Sequence, residues 1–274
     1  MRPITLFDFK IIFCFRAFVL LVLGAVLSGC THSEFNLATG QQETYLHSTE
    51  KEERIGASVA RQLESRFPIS DDMAVNERLN RILDRIVAVC DRKELVYTIK
   101  VIDEDEVNAV SLPGGYIYMF QGLVDRLETD DQLAAVIAHE VGHVTARHAM
   151  KRLQASYGMS LLQVLTIAAE EPALAQGVGA AYQTAFLAYS RQDEFQSDKL
   201  SVKYLERAGY DPMAVVEVLK VLQEESRRRA PSRLSYFRTH PHAEERMAVS
   251  RREITGELDF ESYLDLTGQE KDLY

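Results

Sequence analysis

The sequence predicts a mostly helical α+β fold with one small β-sheet, and three observations carry that prediction. Apolar residues recur at helical spacing from about Ser48 to Pro68 and again from about Met73 to Cys90. The period then changes: residues 96–103 (VYTIKVID) alternate as a strand does, and residues 108–120 read as two short strands. After them, helical patterns run almost to the end, an order typical of α+β folds. The chain has 274 residues, 46% of them hydrophobic and 26% charged, ample for an independent core. Its 31 basic and 41 acidic residues give a net charge of -10, which argues against nucleic acid as a partner.

The first thirty residues read as an address. Arg2, Lys10 and Arg16 precede an apolar run at 17–27, too short for a bilayer core that needs about 20 helical residues. The run suits a secretory signal and ends in Leu27-Ser28-Gly29-Cys30, which resembles a bacterial lipobox. An uncleaved anchor beginning near Ile11 would place Arg16 inside the bilayer, a costly position. The expected organisation is a signal peptide at 1–29, a lipidated Cys30 with a tether at 30–47, a domain at 48–256 and a tail at 257–274. Thr31 stands where inner-membrane retention signals usually carry Asp, so the expected location is the periplasmic face of a Gram-negative outer membrane. Losing Arg2, Lys10, Arg16 and Asp8 leaves 28 basic and 40 acidic residues, a net charge of -12. Cys90 is then the one unmodified thiol, expected as a buried structural residue.

Residues 31–45 are polar and unpatterned, as suits a tether. The strands at 108–120 flank a Pro113-Gly114-Gly115 turn. Tyr116, Ile117 and Tyr118 are candidates for an edge strand that binds an extended substrate by main-chain pairing, with a plain core strand as the alternative. The apolar stretch at 158–169 stops at Glu170, Glu171 and Pro172, which favours a core or covering helix over a membrane span. An Ala- and Gly-rich helix is expected at 173–189, and a basic connection at 226–233 that could rim a cleft.

The chemistry concentrates in residues 130–153 (DDQLAAVIAHEVGHVTARHAMKRL). Asp130 and Asp131 are the expected N-cap, and Leu133, Val136, Ile137, Val141 and Val144 form an apolar stripe. Within it, His139 and His143 are four apart and share a helix face, so both imidazoles can reach one cation. Glu140 lies beside them, where a general base would stand. Chance yields such a pentapeptide in roughly one or two chains of this kind per hundred, so support from elsewhere is needed. Downstream, Glu194 and Asp198 are again four apart: one carboxylate can bind metal while the other accepts an N–H from a ligand imidazole. His148 and His240 remain further ligand candidates on spacing alone, although His148 lies on another helix face, where a structural hydrogen bond is expected.

With these residues in view, the sequence resembles metallopeptidase family forty-eight, the gluzincins related to HtpX and the CAAX prenyl proteases. Four segments carry the resemblance in order: NAVSLPGGYIYMFQGLV, DDQLAAVIAHEVGHVTARH, YSRQDEFQSDKLSVKYLERAGYDP and THPHAEERM. They fall within about residues 50–252, most of the mature chain, and look like a compact lipoprotein branch. Ser197 departs from a common Ala, and His242 lies in a variable stretch.

The resemblance implies a zincin-type domain with the sheet beside the active-site helix. It implies one zinc per chain on His139, His143 and Glu194, with Glu140 as base. Asp198 would orient a ligand histidine, His139 first, and His240 would donate to the oxyanion or cover the zinc at rest. The implied activity is a zinc endopeptidase acting on unfolded or misassembled envelope proteins, with envelope-assembly or quality-control partners. Two other readings stand beside it: an assembly or holdase factor whose proteolysis is weak or occluded, and a hydrolase of non-peptide amides such as cell-wall cross-links.

Overall fold

The computed structural model describes residues 32–45, 47–158, 185, 187–228 and 234–256. The signal segment with Cys30, residues 159–169 of the apolar helix expected at 158–169, most of 173–189, residues 229–233 and the tail at 257–274 lie outside these residues. No helix among the described residues is long and apolar enough to cross a membrane.

The expected tether is a β-hairpin instead. Strands β1 (His32–Asn36) and β2 (Gln41–Tyr45) pair antiparallel, with His32 opposite Tyr45. Asn36 closes the turn: its Oδ1 accepts from Ala38 N at 2.9 Å and its carbonyl from Gly40 N at 2.8 Å. Tyr45 is buried, with the Arg147 guanidinium 4.2 Å above its ring centre, and Lys151 meets Glu43 at 2.7 Å. An isolated hairpin is marginal in water, so these distant contacts order a segment whose own pattern predicts nothing.

Helix α1 (Thr49–Glu64) is capped by Ser48 and buries Ile55, Val59, Ala60 and Leu63. Helix α2 (Met73–Val87) starts at Asp72, whose carboxylate accepts from Ala74 N and Val75 N, and buries Leu79, Ile82, Leu83 and Ile86. Strands β3 (Thr98–Ile102), β4 (Ala109–Leu112) and β5 (Tyr116–Phe120) form one sheet in the order β3-β5-β4, with β3 parallel and β4 antiparallel to β5. The expected edge strand, Tyr116, Ile117 and Tyr118, is therefore the central strand. Its main chain is paired on both sides and cannot take a further strand. Alternation identifies a strand, but only the fold decides its neighbours.

After the short helix α3 (Gln121–Val124) comes α4 (Asp130–Thr145), the centre of the domain. Every residue of α4 from Leu133 to Thr145 is buried. Its N-cap is Thr129, whose hydroxyl accepts from Gln132 N at 3.2 Å, and not the expected aspartates. Asp130 and Asp131 occupy the first turn, where they complement the helix dipole. Helix α5 (His148–Gly158) follows directly.

Helix α6 (Arg191–Ala208) opens with a capping box between Ser190 and Asp193 and closes on left-handed Gly209. It lies against α4 at Gly142, where an added Cβ would stand 3.0 Å from the Ser197 carbonyl oxygen. Helices α7 (Ala214–Arg228), α8 (Tyr236–Thr239) and α9 (Ala243–Thr255) complete the described chain. Cys90 is buried, with its thiol 3.6 Å from the Arg92 carbonyl oxygen, and burial raises its pKa.

Candidate active site

Helical spacing sets His139 and His143 one turn apart on α4, with their Nε2 atoms 3.0 Å from each other. Helix α6 crosses beside them and contributes Glu194. Its Oε1 is 3.5 Å from His143 Nε2, and its Oε2 is 3.6 Å from His139 Nε2. His240 enters from the turn after α8, with Nδ1 3.0 Å from Glu194 Oε1 and 3.4 Å from His139 Nε2. The Tyr236 ring stacks on His240 at 4.5 Å, and Tyr189 stacks on His143 at 3.7 Å. Each of the four residues offers a ligand atom, and these atoms all lie within 4.8 Å of one another in a buried cluster.

Two features of this cluster fit a divalent cation. Imidazole nitrogens and a carboxylate converge with their lone pairs facing, an arrangement that needs protons or a cation between them. A divalent ion would also balance the charges. With neutral imidazoles, the cluster buries the carboxylates of Glu140, Glu194 and Asp198 against one guanidinium, Arg246, among the described residues. Two added positive charges bring that sum to zero, and unbalanced buried charge is costly. A nitrogen-rich donor set with one carboxylate suits zinc.

The surroundings orient these groups. Asp198 Oδ1 lies 2.9 Å from His139 Nδ1, so it accepts that ring's N–H and turns Nε2 towards the cluster. Arg246 clasps Asp198 with Nε at 2.7 Å and Nη2 at 2.8 Å, and its Nη1 is 2.6 Å from Glu194 Oε2. Burial opposes the charges on Glu194 and Asp198, but Arg246 and the neighbouring imidazoles (His240, His139 and His143 at Glu194, His139 at Asp198) together outweigh it and hold both below the ordinary carboxylate range. The two histidines go opposite ways. Burial and Arg246 work against a charged His139, yet Asp198 and Glu194 lift it to about 9. Burial pushes His143 well down. Both carboxylate oxygens of Glu140 are buried without a hydrogen-bond partner among the described residues, and the nearest ring nitrogen, His240 Nε2, is 3.5 Å away.

Of the residues singled out in the sequence, the fold brings together His139, Glu140, His143, Glu194, Asp198 and His240. Tyr116, Ile117 and Tyr118 fall in the middle of the sheet, and Cys30 lies outside the described residues. His148 makes a hydrogen bond as expected, and its partner is His143 itself, Nδ1 to Nδ1 at 2.8 Å. Sequence reasoning missed Arg246, Tyr189 and Tyr236. Arg246 stands in the segment THPHAEERM, but nothing in its spacing separates it from Arg251 and Arg252.

A model of peptidase family M48 matches residues 73–254, which contain the whole cluster. The chain belongs to peptidase family M48. The β-barrel assembly-enhancing protease of Escherichia coli (strain K12) is 29% identical over 213 residues, 73% of this chain and 43% of that protein. The mitochondrial metalloendopeptidase OMA1 of Schizosaccharomyces pombe is 28% identical over 172 residues, 62% of this chain and 50% of that protein. Metalloprotease LoiP of Escherichia coli (strain K12) is 25% identical over 245 residues, covering 83% of this chain and 92% of LoiP. The chain thus spans less than half the length of the β-barrel assembly-enhancing proteases it matches. M48 peptidases are zinc enzymes, in keeping with the donor set of His139, His143, Glu194 and His240.

Proposed function

We propose that this M48 member is a zinc endopeptidase of the bacterial envelope. In this reading, lipid on Cys30 holds it to the periplasmic face of the outer membrane, and it cleaves unfolded or misassembled envelope proteins. The observation that carries the reading is the meeting of His139, His143 and Glu194 beside a buried Glu140 whose oxygens have no hydrogen-bond partner among the described residues. The relatives named as β-barrel assembly-enhancing proteases support the envelope setting.

His139, His143 and Glu194 would hold the ion, with Asp198 and Arg246 fixing two of them. Bound there, zinc supplies Lewis acidity towards water and the scissile carbonyl. Glu140 takes the proton of the attacking water and delivers it to the leaving amine. His240, whose Nε2 is buried and without a hydrogen-bond partner among the described residues, would donate to the oxyanion or cover the site at rest.

Positioned proton transfer contributes roughly 10²–10⁴-fold to a rate. Glu140→Gln in the full chain is therefore expected to lose casein cleavage by that order while binding zinc as wild type does. Full activity in this variant would sink the mechanism.

A second reading, an assembly factor with occluded proteolysis, is favoured by one observation: Glu140, Glu194 and His240 are each 0% exposed. Rescue of a deletion phenotype by Glu140→Gln would select it over the peptidase. Cleavage of peptidoglycan and not of casein would select the hydrolase of cell-wall amides.

A further inference from the structure

The two histidines of α4 differ in what faces their second ring nitrogen. His139 Nδ1 has a carboxylate, Asp198 Oδ1, at 2.9 Å. His143 Nδ1 has another imidazole, His148 Nδ1, at 2.8 Å. His148 is 0% exposed, and its Nε2 meets Gln196 Oε1 at 2.9 Å and Asp193 Oδ1 at 3.4 Å.

A neutral imidazole has one N–H and one lone pair. If His143 gives the Nε2 lone pair to a cation, its hydrogen lies on Nδ1 and is donated to His148. His148 must then carry its own hydrogen on Nε2, where it faces two oxygens that accept. One tautomer of each ring satisfies every nitrogen in the row, and it is the one that presents His143 Nε2 to the cluster.

The backbone is bent to build this row. Five residues along an unbroken helix would turn His148 away from His143. The helix stops instead at Ala146, and Arg147 takes φ 56°, a left-handed conformation that is costly for a residue with a side chain. Arg147 Nη2 donates to Thr49 Oγ1 at 2.8 Å and its guanidinium covers Tyr45, so α1 and the hairpin hold the bend in place. On the other side, Asp193 Oδ2 is occupied by its capping box with Ser190, which leaves Oδ1 towards His148.

We propose that His148 is a positioning residue of the metal site, fixing the tautomer and ring orientation of His143, with Gln196 and Asp193 fixing His148 in turn. This rests on the reading of His139, His143 and Glu194 as zinc ligands. A neutral acceptor suits the place: a carboxylate there would add a fourth buried negative charge to the three that zinc and Arg246 balance. Gln196 also lies between Glu194 and Asp198 on α6, so the row ties both ligand-bearing helices together.

The test is zinc affinity of the metal-stripped full chain in detergent, measured by competition with a chromophoric chelator. Removal of such a partner typically weakens metal binding about 10–100-fold, and that loss is expected for His148→Leu. His148→Asn, whose Oδ1 replaces the accepting nitrogen, should recover most of it. Gln196→Met, at a half-buried position, should fall between. The visible bands of the cobalt(II)-loaded protein should move in His148→Leu and return in His148→Asn, a response that mere core filling would not give. Affinity within twofold of wild type in His148→Leu overturns the proposal, as does an Asn variant no better than Leu. If His148→Leu does not fold, wild-type affinity in Gln196→Met overturns it. A wild-type chain that binds no zinc removes the ligand reading, and this proposal with it. Zinc in wild type with unaltered variants removes this proposal alone.

Discussion

Arg246 Nη1 stands 2.6 Å from Glu194 Oε2, on the carboxylate whose other oxygen faces His143 and His240. The same guanidinium clasps Asp198, so one buried cation restrains two of the acidic groups around the metal cluster. Removing it strands those carboxylates. Breaking a buried ion pair from one side costs about 3–5 kcal/mol. Arg246→Met should lower metal-free stability by that order in urea unfolding, with zinc restoring part of it by mass action. Wild-type stability in chelator would show that the pair is not needed for the fold.

Asp198→Asn keeps an acceptor near His139 but removes its charge. Zinc affinity should fall about 10–100-fold, read by chelator competition, because the His139 imidazole loses its ionic partner. An unchanged affinity would mean that Asp198 serves only Arg246.

Gly142 sets how closely α4 and α6 approach. A Cβ there would lie 3.0 Å from the Ser197 carbonyl oxygen and 3.2 Å from its Cα, backbone atoms that cannot swing aside. In a free helix, alanine is better than glycine by about 1 kcal/mol, but overpacking costs about 1–3 kcal/mol. Gly142→Ala is therefore expected to lower the melting temperature and weaken zinc binding together. A rise in melting temperature would contradict this.

Glu52 is 2% exposed and binds Arg92 through both oxygens, at 3.0 and 3.2 Å, with Arg147 Nε at 3.5 Å. Glu52→Leu leaves two buried guanidinium groups without their shared carboxylate and should cost about 3–5 kcal/mol in chemical denaturation. It should also loosen the bend at Arg147, and a resulting loss of zinc affinity would tie that network to the site. Unaltered unfolding would show that other partners suffice.

Much of the site was legible because its relations are local. Four-residue spacing puts His139 with His143, and Glu194 with Asp198, on shared helix faces whatever surrounds them. The small sheet and the helices around it were legible for the same reason, since periods of two and 3.6 arise within a strand or a helix. The hairpin at 32–45 was not, because Tyr45 is buried by Arg147, a residue far along the chain. Nor was the Thr129 cap, since the neighbouring Asp130 and Asp131 also suit a helix start.

The sequence by itself determined the residue types, the helix faces and an α+β order of elements, because covalent spacing dictates them. Only the tertiary structure decided that β5 is central, that Arg246 rather than Arg251 or Arg252 enters the cluster, and that His240 meets His139 across 101 residues. It also decided that His148 returns to His143, through one left-handed residue at 147. Such contacts depend on which surfaces can be buried together with their charges matched, and that is a property of the packed chain.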